Sequence, residues 1–262
     1  MRIVVSNIFT NNGIVSADGN MSSSGGSIYV TANNITGNGI MRANGGALYQ
    51  SGYFKSPGGG GRIVIYYKTS SFNGTIEAKG GCGSYDSYTS ACAQNGTVGV
   101  FDESANNFYL NGSWKFLQSD APFNFNNIYI SNGAKVTSEN GVNITANNIL
   151  IDKGSSFTLA DNQVLNIPTI TIDGGSTLTL SGSETITANT LNMTGNSTIT
   201  IISKKILSLN IPNINIGSGS SISADIKGYS QNEGPGDSPT EYMGASYGGV
   251  GYQNIPTSVY GL

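Results

Sequence analysis

Apolar residues recur at a constant interval of 21 positions through the second half of the chain. They fall into five columns over four copies: Ile128, Ile149, Ile170 and Leu191; Ile130, Ile151, Ile172 and Met193; Val136, Phe157, Leu178 and Ile199; Ile144, Leu165, Ile186 and Leu207; Ala146, Ile167, Ala188 and Leu209. Within each copy apolar and polar residues alternate, which is the period of a β-strand and not of a helix. Stacked coils would bring each column into a ladder with a spacing of about 4.8 Å. The pattern predicts an all-β, right-handed parallel β-helix, that is, a β-solenoid.

Two kinds of corner residue recur with the same interval. The position three residues before the third column is occupied by Gly133, Gly154, Gly175 and Asn196. We expect positive φ there, because glycine adopts it freely and asparagine tolerates it better than most residues. Paired asparagines mark a second corner, at residues 106–107, 126–127 and 147–148. Stacked asparagines can hydrogen-bond from coil to coil, or they can serve only as turn formers.

The pattern extends in both directions with local changes. Upstream, Phe108 and Leu110 begin an aromatic-rich coil that we expect to form a junction. Downstream, Ile214 and Ile222 follow their counterparts by 23 residues, so a bulge of two extra residues is expected at residues 210–212.

The first hundred residues repeat more loosely. Similar opening phrases begin at residues 2, 26 and 61, and related closing phrases begin at residues 13, 39 and 74. Insertions between them, such as residues 47–60, are expected to project as loops from one face. We expect one β-solenoid over residues 1–262, with irregular coils and Gly-rich insertions in 1–100, regular coils in 101–227, and a Gly/Tyr-rich loop and terminal segment in 228–262.

Composition limits the classes of function. Charged residues make up 10% of the chain, the net charge is −3 and histidine is absent. No run of like charge predicts a nucleic-acid partner, and no apolar stretch predicts membrane insertion. The lack of histidine removes the commonest general base and the commonest metal ligand. No signal peptide is visible, so we expect either a fragment of a larger secreted protein or a chain that has lost its export signal.

Cys82 and Cys92 lie in one short loop. A disulfide between them would pin a protruding hairpin and imply an oxidising compartment, whereas two unpaired thiols are the alternative. We favour the disulfide. Candidate glycosylation sequons occur at Asn20, Asn34, Asn73, Asn95, Asn111, Asn143, Asn192 and Asn196, although a chain rich in Asn and Thr produces many by chance.

Several glycine-rich phrases resemble a known family. Residues 26–32 with 40–46 (Gly-Ser-Ile-Tyr-Val-Thr-Ala and Ile-Met-Arg-Ala-Asn-Gly-Gly) and residues 58–67 with 74–81 resemble the β-helix repeats of very large bacterial and archaeal cell-surface proteins, which are adhesin-like or filament-forming. The loop at residues 234–251 resembles the loop that precedes another such strand. The resemblance implies an extracellular unit of a tandem array, or a subunit that stacks on itself.

Asp152 and Asp173 are the strongest candidates for chemistry in the regular half. They fall in one column with Ser131 and Thr194, and one coil separates them by about 5 Å. Stacked acids could bind a cation or act as an acid pair. The alternative, which we favour, is a solvated outer face beside Lys153.

Two further sets of residues lie in the loops. Glu233, Asp237 and Glu241 could collect Ca²⁺, the one cofactor we consider, although they lack the repeated glycine motif of calcium-loaded solenoids. Tyrosines are frequent in the insertions: Tyr49, Tyr53, Tyr85, Tyr88, Tyr242, Tyr247 and Tyr252. They could form an adaptable contact surface, or pack the loops onto the solenoid.

These features favour a structural or adhesive extracellular protein over an enzyme. We expect it to assemble with itself by coil stacking into a surface fibre, sheath or stalk, and to contact surface glycans. A glycan-binding or glycan-cleaving β-helix is the alternative function. An ice- or surface-binding solenoid is a third, based on the outward residues Thr171, Thr177, Thr179, Thr198 and Thr200, which in sequence do not form a strict Thr-x-Thr array.

Overall fold

The computed structural model describes residues 1–47, 56–86, 89–161, 163–183, 185–202 and 204–228, with the backbone alone for residues 84–86, 89–90 and 164. In this part of the chain stacked parallel strands form a β-solenoid of about nine turns, with almost no helix. The predicted fold class is therefore confirmed.

The described residues form 22 strands and one short 3₁₀ helix. The strands are β1 (Arg2–Thr10), β2 (Ile14–Ser16), β3 (Ser27–Gly37), β4 (Ile40–Arg42), β5 (Arg62–Phe72), β6 (Thr75–Glu77), β7 (Cys82–Asp86), β8 (Thr89–Cys92), β9 (Thr97–Asp102), β10 (Asn107–Phe116), β11 (Phe123–Ser138), β12 (Asn143–Ile151), β13 (Ser156–Leu159), β14 (Val164–Asn166), β15 (Thr169–Ile172), β16 (Thr177–Leu180), β17 (Thr185–Thr187), β18 (Thr190–Met193), β19 (Thr198–Ile201), β20 (Ser208–Asn210), β21 (Asn213–Ile216) and β22 (Ser221–Ser223), and the 3₁₀ helix is Gln118–Asp120.

The C-terminal half, β10 to β22, stacks as the 21-residue columns predict. Ile149 pairs with Ile170 and Ile170 with Leu191, all three of them buried. Val136 likewise pairs with Phe157 in the next coil. The files of like side chains merge into one apolar core along the half. From β13 onward the strands are short, because each coil turns a corner after three or four residues.

Two columns end differently from the prediction, because Leu209 was expected to follow Ala188 and instead follows Ile186. Ile186 pairs with Leu209 and not with Leu207. The two extra residues therefore precede β20 and do not form a bulge at residues 210–212. The sequence hid this shift because both leucines are apolar and two positions apart, so either one fits the alternation of a strand.

The corner residues behave as the sequence indicates. Gly133, Gly154 and Gly175 have φ of 73°, 73° and 74°, and Asn196 has φ of 62°. The asparagine corner forms a hydrogen-bonded ladder: Asn148 Nδ2 donates to Asn127 Oδ1 at 2.8 Å, Asn127 Nδ2 to Asn107 Oδ1 at 2.7 Å, and Asn147 Nδ2 to Asn126 Oδ1 at 3.4 Å. These asparagines therefore bond from coil to coil as well as forming turns.

The structure also contains a buried file of serines, which the apolar pattern of the sequence does not predict. Ser155, Ser176 and Ser197 are almost fully buried next to the glycine corner. The hydroxyl of Ser176 accepts the backbone N–H of Ser155 at 3.1 Å, and the hydroxyl of Ser155 accepts that of Ala134 at 3.1 Å. Ser155 and Ser176 thus each accept from a buried backbone donor one coil earlier, which a buried N–H requires, whereas the hydroxyl of Ser197 donates to the carbonyl of Ile172 at 2.9 Å.

The N-terminal half has two walls of parallel strands. β1, β3, β5 and β9 form one wall, and β2, β4 and β6 form the other. Pairings from β3 to β5 and from β5 to β9 join residues 35 positions apart. The longer interval holds the coil plus a loop insertion, which is why this half repeats less visibly in sequence.

The two ends of each insertion are hydrogen-bonded to each other where they join the coil, and we call this closed base of the loop its neck. The backbone N–H groups of Gly26, Gly61 and Gly96 donate to the carbonyls of Ala17, Ala43 and Ala78 respectively. Successive necks pack backbone on backbone: a Cβ on Gly61 would lie 2.0 Å from the carbonyl oxygen of Gly26. Glycine is required there by contact, with no role for positive φ.

The chain reverses direction between the two halves. β9 continues the parallel wall of the N-terminal half, but β10 pairs with β9 in antiparallel orientation, with Phe101 opposite Phe108 and Val100 opposite Tyr109. β11 and later strands then run parallel to β10. A hairpin at residues 103–106 makes the reversal.

The core changes face at the same place. Val98 and Val100 of β9 point into the N-terminal core, whereas Phe101 packs against the C-terminal core. Opposite residues of an antiparallel pair share a face, so Phe108, opposite Phe101, lies on the face that is external in the N-terminal half. Since strand direction and core face invert together, both halves wind with the same hand. They lie on opposite sides of one continuous sheet.

Candidate functional site at the junction groove

The two predicted acids stack as expected, and each is bonded to a hydroxyl. Asp152 directly follows β12 and Asp173 directly follows the paired strand β15, one coil later. The hydroxyl of Ser131 donates to Asp152, and that of Thr194 donates to Asp173 Oδ1 at 2.8 Å. In the described residues no group of three or more His, Cys, Asp or Glu side chains converges as metal ligands would. The arrangement favours the solvated outer face over an acid pair.

The predicted disulfide is present. Cys82 and Cys92 are joined across the antiparallel hairpin β7–β8, with an S–S distance of 2.06 Å. Of the predicted contact tyrosines and calcium ligands, the following lie outside the described residues: Tyr49, Tyr53, Tyr88, Tyr242, Tyr247, Tyr252, Glu233, Asp237 and Glu241. For Tyr85 the backbone alone is described, in β7.

The sequons differ in accessibility. Five asparagines are exposed, namely Asn20, Asn73, Asn95, Asn143 and Asn196, and three are half-buried, namely Asn34, Asn111 and Asn192. Asn95 is also used internally, since its Oδ1 accepts the backbone N–H of Gly80 at 3.0 Å. Exposure alone therefore leaves glycosylation a prediction.

The outward threonines form a stricter array than the sequence suggests. Along the wall β13–β16–β19–β22 the outward positions of every strand carry hydroxyls, in register from coil to coil. They are Ser156, Thr158, Thr177, Thr179, Thr198, Thr200, Ser221 and Ser223. Thr171 belongs to another wall, where it pairs with Leu150 and Asn192.

A groove forms where the two halves meet. The N-terminal core ends at β6 and β9, and the outer face of the C-terminal half begins beside it, because the two cores lie on opposite sides of the sheet. Three adjoining cavities of about 250, 300 and 300 Å³ occupy this re-entrant corner. We call them together the junction groove, which Ile76, Val98, Val100, Tyr109, Tyr129 and Asn132 line at its centre.

The wall that contains β6 is incomplete beside the groove. β9 provides one wall of the last N-terminal coil, but β6 pairs only with β4 in the described part of the chain. The core residues Ile76 and Val100 are consequently only partly buried. The groove therefore combines an apolar floor with a free strand edge.

The opposite corner of the junction is filled. There the outer face of the N-terminal half meets the end of the C-terminal core, and aromatic rings pack the space. Tyr66 stacks on Phe101 with ring centroids 4.5 Å apart, Phe101 on Phe108 at 4.1 Å, and Phe108 meets Trp114 edge-on at 4.9 Å. The reversal thus produces two related corners, one closed by aromatics and one open as the junction groove.

Polar groups surround the groove. Tyr109 and Tyr129 stack in parallel with ring centroids 4.7 Å apart. Burial, and then the neighbouring Tyr109, raise the pKa of the Tyr129 hydroxyl. The pKa of the Tyr67 hydroxyl is raised to about 12, first by burial and then by the neighbouring Asp102 and Tyr109. The phenols of Tyr67 and Tyr129 consequently stay protonated at neutral pH and can donate hydrogen bonds.

Glu77 and Lys79 form the charged pair of the groove. Lys79 Nζ lies 2.5 Å from Glu77 Oε2, and Asn44 Nδ2 donates to Glu77 Oε1 at 2.9 Å. These two bonds hold the pKa of Glu77 below its ordinary value, and the bond to Lys79 has the larger effect. Glu77 is therefore a carboxylate at neutral pH whose charge Lys79 offsets.

The sequence contained one signal of this site. Residues 98–101, Val-Gly-Val-Phe, are apolar on both faces of β9, which is typical of a strand between two cores. The other lining residues come from different coils, and no local motif joins them.

Comparison with models of known families, with curated proteins and with solved structures finds no match. The class that the geometry defines is a parallel β-solenoid with a disulfide-bonded hairpin. Among the described residues no helix has the length and apolar character needed to cross a membrane.

Proposed function

We propose that this chain is a structural and adhesive unit of an extracellular surface protein of the glycine-rich β-helix type, and that it has no catalytic role. The observation that carries the proposal is the uninterrupted ladder from β10 to β22, in which like residues stack coil on coil. Such a ladder distributes hydrogen bonds and apolar contacts evenly along its axis, which suits a stiff spacer. The disulfide supports an oxidising compartment.

Self-assembly by coil stacking is the second part of the proposal. Ile170 and Ile172 are fully buried within the stack, whereas Ile214 and Ile216, in the same files, are 43% and 46% exposed. No described strand pairs with the free edge of β21. An open apolar coil of this kind is a surface on which another coil can stack.

Electron microscopy and analytical ultracentrifugation of the purified chain test this part. Filaments or end-to-end oligomers are expected at high concentration, and Ile214→Lys with Ile216→Lys should abolish them. Asn192→Lys with Asn215→Lys adds the same two charges to the outward face of this wall and should leave assembly intact. A monomer at all concentrations would refute stacking.

The hydroxyl array of β13, β16, β19 and β22 favours a second candidate, binding to an ordered surface such as ice. Its outward positions repeat about every 4.8 Å across strands and about 6.7 Å along them, without a charged residue over four coils. Thermal hysteresis and ice-shaping assays test it. Thr179→Lys should remove the activity, and Thr187→Lys on β17 should retain it. A wild-type chain without activity would exclude this candidate.

A further inference from the structure

We propose that the junction groove binds an acidic oligosaccharide. The proposal rests on the adhesive part of the proposed function, since it assigns the place and chemical class of one contact. The groove has the combination that ligand sites share, a concave apolar floor with a few polar groups directed at it. Its three cavities together lie within the usual size of such sites, about 300–1,000 Å³.

Charge selects an anion. Three lysines line the groove against one carboxylate, and Lys79 is paired with that carboxylate, Glu77. Lys135 lines the cavity at one end and Lys153 that at the other, and neither forms an ion pair in the described part of the chain. Asp152, the sequence neighbour of Lys153, accepts a hydrogen bond from the hydroxyl of Ser131. Two free ammonium groups at the ends of one groove suit a ligand with several carboxylates or sulfates along its length.

Uncharged groups select a sugar. The stacked rings of Tyr109 and Tyr129 line the groove and are half-buried, so their exposed parts offer an apolar surface with a polar hydroxyl to a sugar ring. No hydrogen bond within the described residues engages the side-chain amide of Asn111 or Asn132, and both line the groove. Amides both donate and accept, which matches vicinal hydroxyls. A protein strand added to the free edge of β6 would use the backbone there but would leave the tyrosines and lysines without a role.

Neighbouring coils indicate variants that preserve the fold. Lys135 pairs with Ser156, and the next residue of that file is Thr177, so Lys135→Thr keeps a residue type that the wall already holds. Lys153 has φ of 53°, and Asn132 holds the same corner one coil earlier with φ of 60°, so Lys153→Asn fits the backbone. Tyr129 pairs with Leu150, which makes Tyr129→Leu a natural substitution. Lys68, exposed on β5 and outside the groove, provides a control as Lys68→Thr, which loses the same single charge as Lys135→Thr or Lys153→Asn alone.

Isothermal titration calorimetry with tetragalacturonate, cellotetraose and a tetraglutamate peptide tests the proposal. Wild type and Lys68→Thr should bind tetragalacturonate, and cellotetraose more weakly. Lys135→Thr with Lys153→Asn should weaken tetragalacturonate binding about tenfold, as the loss of two exposed ion pairs implies. Tyr129→Leu should weaken both saccharides.

Three outcomes would overturn the proposal: no binding of tetragalacturonate, binding that the double variant does not change, or tetraglutamate binding as tight as tetragalacturonate, which would indicate a peptide or a nonspecific anion site. Circular dichroism confirms that each variant is folded. Assembly is measured separately by electron microscopy, so loss of saccharide binding with intact filaments refutes this inference alone.

Discussion

Phe101 and Phe108 face each other across the antiparallel pair β9–β10, with ring centroids 4.1 Å apart and planes 13° apart. Phe101 also stacks on Tyr66, which lies on the outer face of the N-terminal half. The same side of the sheet is therefore exterior in one half and interior in the other. The aromatic rings at this contact close the corner that would otherwise leave the C-terminal core open.

The glycine necks provide the first prediction. Gly61→Ala should destabilise the protein by about 2 kcal/mol or more, because the new Cβ would lie 2.0 Å from a backbone oxygen of Gly26 that cannot rotate away. Gly59→Ala is the control, since its Cβ would meet nothing closer than 3.8 Å. Urea unfolding measures both, and equal midpoints would contradict the packing of the necks.

The serine file provides the second. Ser176→Ala should cost about 1 kcal/mol, because the buried N–H of Ser155 loses its bond to the hydroxyl and keeps only the one to the carbonyl of Asp152 at 3.2 Å. Ser156→Ala, at a half-exposed outward position, should cost much less. Thermal unfolding of the two variants makes the comparison. Similar losses would show that the hydroxyl of Ser176 is not the required acceptor.

The disulfide hairpin should behave as a local unit. β7 and β8 pair only with each other among the described strands. Replacing Cys82 and Cys92 by serine should therefore speed amide exchange in the hairpin by about tenfold or more and leave β3 and β5 protected. Hydrogen exchange with mass spectrometry resolves the two regions. Loss of protection in β3 and β5 as well as in the hairpin would show that the hairpin unfolds together with the rest of the protein.

Glu77 should contribute stability that depends on pH. Its native pKa lies below the ordinary value of 4.5 because Lys79 and Asn44 bond the carboxylate. A depressed native pKa gives stability that is present above the unfolded pKa and lost as pH falls through the native one. Glu77→Gln should therefore lower stability at pH 7 and converge with wild type well below pH 4.5 in urea titrations. If the difference in stability between Glu77→Gln and wild type were the same at every pH, the bonds from Lys79 and Asn44 to the carboxylate would be contradicted.

The sequence predicts the C-terminal half closely because each coil there has the same length, so files such as Ile149 and Ile170 repeat at one interval. It predicts the N-terminal half less well, because loop insertions separate equivalent residues such as Ile28 and Ile63. The reversal at β9 is hidden for another reason. Alternation fixes which residues share a face, but not which face is buried when both carry apolar residues.

The junction groove could not be predicted, because its position depends on that reversal. Its lysines and tyrosines come from separate coils, and each is unremarkable in its own segment. Tyr109 and Tyr129 line the same cavity as Ile76 only because the two cores lie on opposite sides of the sheet.

The opposite placement of the two cores is tested most directly by nuclear Overhauser contacts across β9 in isotope-labelled protein. The ring of Phe101 should contact Tyr66 and Trp114, and that of Phe108 should contact Phe101 and Trp114. Val100 should contact Tyr109, with short Hα–Hα contacts in alternate pairs between β9 and β10. Ring contacts from Phe108 to the Ile63 and Ile65 core, with no Hα–Hα contacts between β9 and β10, would place both cores on one side and contradict the account.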